Sequence, residues 1–218
     1  MTSTITPSAA NADWADGFCA EVRDAFAAGL PAVFLDEGGA LLAFPAATAT
    51  TAQLHFAISH SSGVVHAAMP SSLLDRLRIP DQPVLASEHS GASFTVAVDA
   101  ASGIGTGISA RDRAQTMQVL ADPGTVADDL TRPGHVLPVR CADGGFAERG
   151  RVWERAVDLS RAAGHSPVVV MCRLVDDAGE VLDGLTATLF GLNHQLALNA
   201  GTSDIDTRSD GVRTKRTH

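Results

Sequence analysis

Between Asp99 and His135 the chain reads Thr106-Gly107-Ile108-Ser109-Ala110-Arg111-Asp112-Arg113-Ala114 and ends on Arg132-Pro133-Gly134-His135. The apolar segment Val136-Leu137-Pro138-Val139 follows directly. This stretch contains groups that a polar pocket needs. They are a threonine next to a glycine, an Arg-Asp-Arg run and a histidine that directly follows Pro-Gly. Because apolar segments flank the stretch, it predicts a polar site whose floor is made by buried strands.

Around this stretch, segments whose apolar residues are spaced as in strands alternate with segments whose apolar residues are spaced as in helices. Patterns typical of strands cover residues 31–35, 40–44, 64–69, 93–100, 136–140 and 167–175. Helical spacing covers residues 13–28, 48–60, 71–77, 111–121, 153–163 and 186–198. Residues 167–175 are the most apolar and β-branched run, which is typical of a central strand. The order predicts the α/β (α+β) class, with one mixed β-sheet and helices packed on it.

Length and composition favour one domain. With 218 residues and 45% hydrophobic content, the chain can bury one sizeable core, which we expect over residues 13–200. Residues 1–12 and 201–218 are polar and patternless, so disorder is expected there. Cys19, Cys141 and Cys172 are too widely spaced for a disulfide framework or a metal knuckle.

Charge indicates small molecules or other proteins as partners. The formal net charge of -9, with 16 scattered basic residues, argues against nucleic acid or an anionic membrane surface. No apolar run approaches the ~20 residues that span a bilayer, and the first residues lack a signal core. We therefore expect a cytoplasmic protein.

Several motifs occur together in an order that resembles one enzyme family. They are Ala28-Gly29-Leu30-Pro31-Ala32-Val33-Phe34-Leu35-Asp36, His60-Ser61-Ser62-Gly63-Val64, Phe94-Thr95-Val96-Ala97-Val98-Asp99, Thr106-Gly107-Ile108-Ser109-Ala110, Arg132-Pro133-Gly134-His135-Val136 and Ala156-Val157-Asp158-Leu159. Together they resemble 3,4-dihydroxy-2-butanone 4-phosphate synthase, a lyase of riboflavin biosynthesis, over about residues 18–175.

The resemblance implies a reaction, a metal and an assembly. The family converts ribulose 5-phosphate to a four-carbon dihydroxybutanone phosphate and formate. It uses magnesium, held by a glutamate and a histidine, to polarise adjacent oxygens. The glutamate belongs to an acidic loop after the first strand. The resemblance also implies a homodimer with pockets near the subunit interface.

The chain departs from the family pattern at the metal site. The shorter Asp36-Glu37-Gly38-Gly39-Ala40-Leu41-Leu42 replaces the acidic loop, and Val152 stands where the family has its metal-binding histidine. Arg173 replaces an acidic residue, and His66 replaces a cysteine. Because magnesium prefers octahedral oxygen coordination, these losses lead us to expect no metal ligand and no cofactor. Magnesium is expected only if the family's own activity is retained.

Three residues are candidates for catalysis. The resemblance makes His135 an active-site histidine that could act as acid or base. It likewise makes Thr106 a substrate contact, although a threonine there could simply support a turn. His66 could supply a second proton-transfer group, or it could be an ordinary strand histidine.

Five residues are candidates for substrate binding. Arg149 aligns with a phosphate-binding arginine of the family, and guanidinium geometry suits phosphate. Arg173 cannot be buried without a partner, so it either reaches solvent or meets an anion or a carboxylate, for which Asp112 or Asp176 could serve. Trp153 predicts a narrower, more apolar pocket. Asp112 and Ser61 complete the predicted set.

These departures lead to one main hypothesis and two alternatives. The main hypothesis is a metal-independent enzyme of specialised metabolism that performs a proton-transfer-driven isomerisation, elimination or cyclisation of a small organic substrate. The first alternative is dihydroxybutanone phosphate synthase activity. The second is a non-catalytic binding protein on the same fold.

Overall fold

The computed structural model describes residues 20–85 and 92–199. The disorder expected at residues 1–12 and 201–218, and the outer limits of the expected domain, lie outside these ranges. No helix within the described ranges is long and apolar enough to cross a bilayer.

The described chain alternates helices and strands much as its apolar pattern predicts. The helices are α1 (Ala20–Ala27), α2 (Thr51–Ser59), α3 (Ser71–Arg76), α4 (Ala110–Ala121), α5 (Val152–Ala162) and α6 (Gly184–His194). The strands are β1 (Ala32–Asp36), β2 (Gly39–Pro45), β3 (Val65–Pro70), β4 (Val98–Ala100), β5 (Leu130–Cys141), β6 (Val169–Arg173) and β7 (Ala197–Asn199).

All the described strands form one mixed sheet in the order β4-β5-β3-β6-β2-β1-β7. The pairs β3–β5 and β1–β7 are parallel, and the other neighbours are antiparallel. The predicted class, a mixed sheet carrying helices in a single domain, is confirmed.

Strand β6 lies at the centre of the sheet because both of its faces are apolar. Its residues Val169–Cys172 are fully buried. Val170 and Cys172 join the core under α2, α4 and α6, whereas Val169 and Met171 join the core under α1 and α5. The prediction of a central strand in residues 167–175 is confirmed, and the sheet is covered on both faces.

Three elements differ from the sequence pattern. The strand expected over residues 93–100 is confined to β4, Val98–Ala100. Strand β5 begins at Leu130, so Arg132-Pro133-Gly134-His135 lies inside a strand and not ahead of one. The expected helix over residues 186–198 ends at His194, and Gln195 adopts a left-handed conformation with φ of 55°. The chain then adds β7 alongside β1. The helix ends early because residues 197–199 hydrogen-bond to the open edge of β1. The spacing of apolar residues along the sequence carries no information about such pairing.

Truncation of a core leucine should show how strongly the fold depends on the sheet. Leu42 is fully buried and pairs with Val33 and Cys172 on the flanking strands. We expect Leu42→Ala to lower the free energy of unfolding by about 2–5 kcal/mol in urea denaturation, because it leaves a cavity. The control Leu185→Ala, at a side chain that is 72% exposed, should change it by less than about 0.5 kcal/mol. Equal losses in the two variants would contradict this description of the core.

Candidate active site

Asp99 on β4 and His135 on β5 form a hydrogen-bonded pair. The backbone N–H of His135 donates to Asp99 Oδ1 at 2.9 Å, and His135 Nδ1 lies 2.7 Å from Asp99 Oδ2. An ionised carboxylate only accepts hydrogen bonds, so Nδ1 carries the hydrogen and Nε2 keeps its lone pair. The Asp99 side chain is 8% exposed and the imidazole 40% exposed. The pair therefore presents a fixed, accessible imidazole nitrogen that can accept a proton.

The loop before α4 closes over this pair. Gly107 has a φ of +87°, and a Cβ at this position would overlap Asp99 Oδ2. Its N–H donates to Asp112 Oδ2 at 3.1 Å, and Ser109 Oγ accepts from the Asp112 N–H at 3.0 Å. Hydrogen bonds, chiefly from the Gly105 backbone, lower the pKa of Asp112. Asp112 thus holds the loop in place, and the exposed Thr106 lies beside Gly107.

A cleft of about 790 Å³ opens between the end of β1 and the start of α5. The residues that line it are Leu35, Asp36, Glu37, Gly38, Ala92, Phe94, Phe146, Gly150, Arg151, Val152, Trp153, Arg155 and Arg173. It combines an apolar floor with charged walls, which is the usual character of a small-molecule site.

Arg173 is paired inside the cleft with Asp36. Its Nη1 donates to Asp36 Oδ1 at 2.7 Å and its Nη2 to Asp36 Oδ2 at 3.0 Å, and Nη1 also donates to the Gly39 carbonyl at 2.9 Å. Of the outcomes expected for Arg173, the structure shows a carboxylate partner, which is Asp36 and not Asp112 or Asp176. The β2–β6 pairing sets Leu41 opposite Arg173, which brings the β1–β2 turn within reach of the guanidinium.

Trp153 and His66 lie together beneath the cleft. The His66 ring is 5.4 Å from the Trp153 ring and 5.7 Å from that of Phe94, measured between centroids. His66 Nδ1 lies 3.1 Å from the Met171 carbonyl oxygen. Burial lowers the pKa of His66 to about 4, so the ring is neutral at pH 7 and donates this hydrogen bond. It cannot act as a general acid from the imidazolium form at that pH.

The Asp99–His135 pair and the cleft lie at the same end of the sheet. Val136 pairs with Val65 on β3, and on the other side of β3, Met171 pairs with His66. Because β5 runs parallel to β3 and β6 runs antiparallel to it, His135, directly before Val136, and Arg173, two residues after Met171, lie at the same end of these strands. Two strand spacings of about 4.8 Å separate their backbones, which gives a distance of roughly 10 Å. His135 does not line the cleft, so the two features are neighbours and not one cavity.

The two remaining predicted residues have structural partners. The Ser61 Oγ accepts from the Gly63 N–H at 3.1 Å, in the turn that leads into β3. Arg149 donates through Nε to Glu154 Oε1 at 2.6 Å and through Nη2 to the Arg140 carbonyl. Arg149 does not line the cleft. Its role as a phosphate ligand stays a prediction that this geometry does not favour.

Sequence reasoning missed three charged residues of the site. Asp99 was quoted only as part of a motif, although an aspartate at the end of a strand is a usual partner for a histidine. Arg151 and Arg155 were overlooked because no motif marks them. Arg151 stands directly before α5 and Arg155 lies within its first turn, where the helix borders the cleft.

Comparisons with known proteins show which family the chain belongs to. The family described as 3,4-dihydroxy-2-butanone 4-phosphate synthase matches residues 20–204, and the chain belongs to this family. Among curated relatives, the riboflavin biosynthesis protein RibBA of Mycobacterium tuberculosis is 43% identical over 159 residues. That of Mycobacterium ulcerans is 42% identical over the same length. Each alignment covers 72% of this chain but only 37% of the relative, so the chain spans little more than a third of these proteins.

Solved structures of synthases have a fold similar to that of this chain. A 3,4-dihydroxy-2-butanone 4-phosphate synthase in complex with two magnesium ions superposes with a TM-score of 0.76 and 34% identity, covering 81% of this chain and 89% of that one. A two-domain synthase from A. baumannii, RibBX, gives a TM-score of 0.77 at 26% identity, covering 82% of this chain and 54% of that one.

These findings overturn two expectations. The main hypothesis, a metal-independent enzyme of specialised metabolism, is wrong, because relatives and solved structures point to the synthase reaction. The expectation of no cofactor is also wrong, because it conflicts with a structural neighbour of the same family that was solved with two magnesium ions.

The donor atoms of the cleft fit magnesium only with help from a substrate. Among residues 20–85 and 92–199 there is no group of three or more His, Cys, Asp or Glu side chains that could hold a metal ion. The cleft offers two carboxylates, Asp36 and the exposed Glu37, and Arg173 occupies both oxygens of Asp36. Magnesium is commonly held by one or two carboxylates together with water and substrate oxygens, and this set allows that arrangement.

Burial of His66 should make stability depend on pH. Its pKa falls from 6.5 to about 4 on folding, so stability is full above pH 6.5 and decreases as the pH falls towards 4. His66→Gln removes this titration while keeping a donor for the Met171 carbonyl. Between pH 7.5 and pH 5, the parent chain should lose on the order of 2 kcal/mol more unfolding free energy than the variant, measured by urea denaturation. Parallel losses would show that His66 titrates normally.

Proposed function

We propose that this chain catalyses the synthase reaction, conversion of ribulose 5-phosphate to 3,4-dihydroxy-2-butanone 4-phosphate and formate. Family membership over residues 20–204 supports the reaction class. The observation that carries the proposal is the Asp99–His135 pair, with its 2.7 Å hydrogen bond and exposed imidazole. Enediol formation, the first step of this reaction, needs a fixed base that can accept a proton from carbon.

In this proposal the substrate extends from the cleft across the roughly 10 Å to His135, which is the proton acceptor. Its Nε2 takes the proton, while Asp99 keeps the ring oriented and stabilises the imidazolium that forms. The buried position of Asp99 strengthens this interaction, because little water competes with it. Gly107 lies directly against the pair, since a Cβ at this position would overlap Asp99 Oδ2 and crowd His135 Nδ1.

Magnesium is part of the proposal. Glu37, and Asp36 when Arg173 releases it, are the cleft carboxylates that would share the ion with the substrate. When bound, the ion would polarise substrate oxygens and make the adjacent C–H more acidic. Trp153 and Phe94 would exclude water from the floor of the same cleft.

A direct assay tests the reaction. With ribulose 5-phosphate and magnesium, the chain should release formate, and a chelator should abolish the release. His135→Gln should lower kcat at least about a hundredfold, because the base is lost. The matched control is His55→Gln, at an exposed position on α2, which should leave kcat unchanged. Absence of formate release by the parent chain with magnesium present would refute the proposal.

A cytoplasmic homodimer belongs to the same proposal. The imidazole of His135 remains 40% exposed at the end of the sheet and outside the cleft, so a second copy could complete its surroundings. A cytoplasmic location suits a step that acts on a small, highly polar sugar phosphate.

Light scattering coupled to size-exclusion chromatography measures the assembly. We expect a mass of about 45 kDa, twice the 22.5 kDa of the chain. A mass near that of one chain at micromolar concentration would exclude the homodimer.

A further inference from the structure

We propose that Arg173 competes with the divalent cation for the Asp36 carboxylate, and that this competition keeps the affinity of the cleft for the free ion low. The inference rests on the proposed function for the identity of the ion, magnesium. Its geometric basis is independent of the reaction, because the Arg173–Asp36 pair lies in the cleft of the chain itself.

Most of the acceptor positions of the Asp36 carboxylate are used within the chain. Its Oδ1 accepts from Arg173 Nη1 at 2.7 Å and from the Gly38 N–H at 2.9 Å. Its Oδ2 accepts from Arg173 Nη2 at 3.0 Å. A carboxylate oxygen has about two acceptor positions, so those of Oδ1 are filled. While the pair is intact, Oδ2 is therefore the oxygen that could still reach an ion.

An ion at Oδ2 would lie close to the guanidinium group. Magnesium binds carboxylate oxygens at about 2.1 Å, and Arg173 Nη2 is 3.0 Å from the same oxygen. The ion would thus lie within about 5 Å of Nη2. Water screens the repulsion between these two cations incompletely, because the side chains of Arg173 and Asp36 are 23% and 24% exposed. Binding of the ion and retention of the pair therefore oppose each other.

The fold holds Arg173 in this position through its backbone and its side chain. The β2–β6 register sets Arg173 opposite Leu41, and its carbonyl accepts from the Ser62 N–H at 3.2 Å. Its Nη1 also donates to the Gly39 carbonyl at 2.9 Å. A Cβ on Gly38 would come within 3.2 Å of Nη2, so the β1–β2 turn lies directly against the guanidinium group. The pair is therefore part of the sheet structure, unlike an ion pair between two mobile surface side chains.

Removal of the arginine charge would change the donor set of the cleft. With the pair intact, the exposed Glu37 is the other carboxylate among the residues that line the cleft. Without Arg173, Asp36 and Glu37 stand at one turn as two carboxylates, and the turn becomes more negative. Two carboxylates together with water form a set that commonly holds magnesium. The identity of residue 173 should therefore control how tightly the cleft binds a free divalent ion.

Binding of manganese(II) alone to the full chain tests the competition without requiring turnover. Manganese(II) takes the same oxygen ligands as magnesium, and electron paramagnetic resonance measures the free ion. We expect Arg173→Gln to bind it at least about tenfold more tightly than the parent chain, since a competing cation is removed. Arg173→Lys should bind it less tightly than Arg173→Gln, because the charge is kept. Equal affinity in the parent chain and Arg173→Gln would overturn the proposal.

Two further variants show whether Asp36 is the carboxylate concerned. Arg161→Gln is the matched control, because it also removes one positive charge from an ion pair, with Asp158, but lies outside the cleft. It should bind manganese(II) as the parent chain does. The double variant Asp36→Asn/Arg173→Gln should lose the gain, since the ligand is gone. An equal gain in Arg161→Gln, or one that survives in the double variant, would contradict the assignment.

The formate assay separates this proposal from the reaction itself. Tighter manganese(II) binding by Arg173→Gln, without formate release by the parent chain, would support the competition and refute the reaction. Formate release by the parent chain, with equal manganese(II) affinity in the two chains, would overturn the competition and leave the reaction standing. Thermal unfolding checks that each variant is folded. If Arg173→Gln does not fold, Arg173→Met, which keeps an aliphatic stem, takes its place in the same measurement.

Discussion

The antiparallel pairing of β6 with β3 on one side and β2 on the other is the constraint on which the site depends. Complete burial of Val169–Cys172 on both faces holds this strand at the centre of the sheet. Its last residue, Arg173, then emerges where the β1–β2 turn passes, and Asp36 meets it. The same pairing sets His66 beside Met171, under Trp153. Packing of apolar residues thus decides where the charged groups of the cleft can lie.

Two arginines of this region are each bound to a carboxylate of the same chain. Arg149 pairs with the fully buried Glu154, and Arg173 pairs with Asp36 at the edge of the cleft. Burial of a carboxylate is tolerated only when a cation or hydrogen-bond donors meet it, so these two ion pairs hold the end of β5 and the β1–β2 turn in place.

The sequence could predict most of the fold and only part of the site. Apolar periods located β3 and β6 because each strand buries a continuous run, and capping located α4 because Ser109 stands directly before it. Alignment found His135, since a histidine behind Pro-Gly is a recognisable signal. No sequence signal linked Arg173 to Asp36, which are separated by 137 residues. The same limit applied to Arg149, whose partnership with Glu154 depends on how α5 meets the end of β5.

By itself, the sequence determined the class of fold, the central strand and the family, because these follow from local periods and from motifs that persist in order. The tertiary structure alone decided that α6 gives way to β7, because an open edge of β1 was available for hydrogen bonding. It also decided which carboxylate each arginine meets. In the stretch from Asp99 to His135, the chain supplied an aspartate, a glycine and a histidine. Only the pairing of β4 with β5 brought Asp99 Oδ2 within 2.7 Å of His135 Nδ1 and made these two residues a hydrogen-bonded pair.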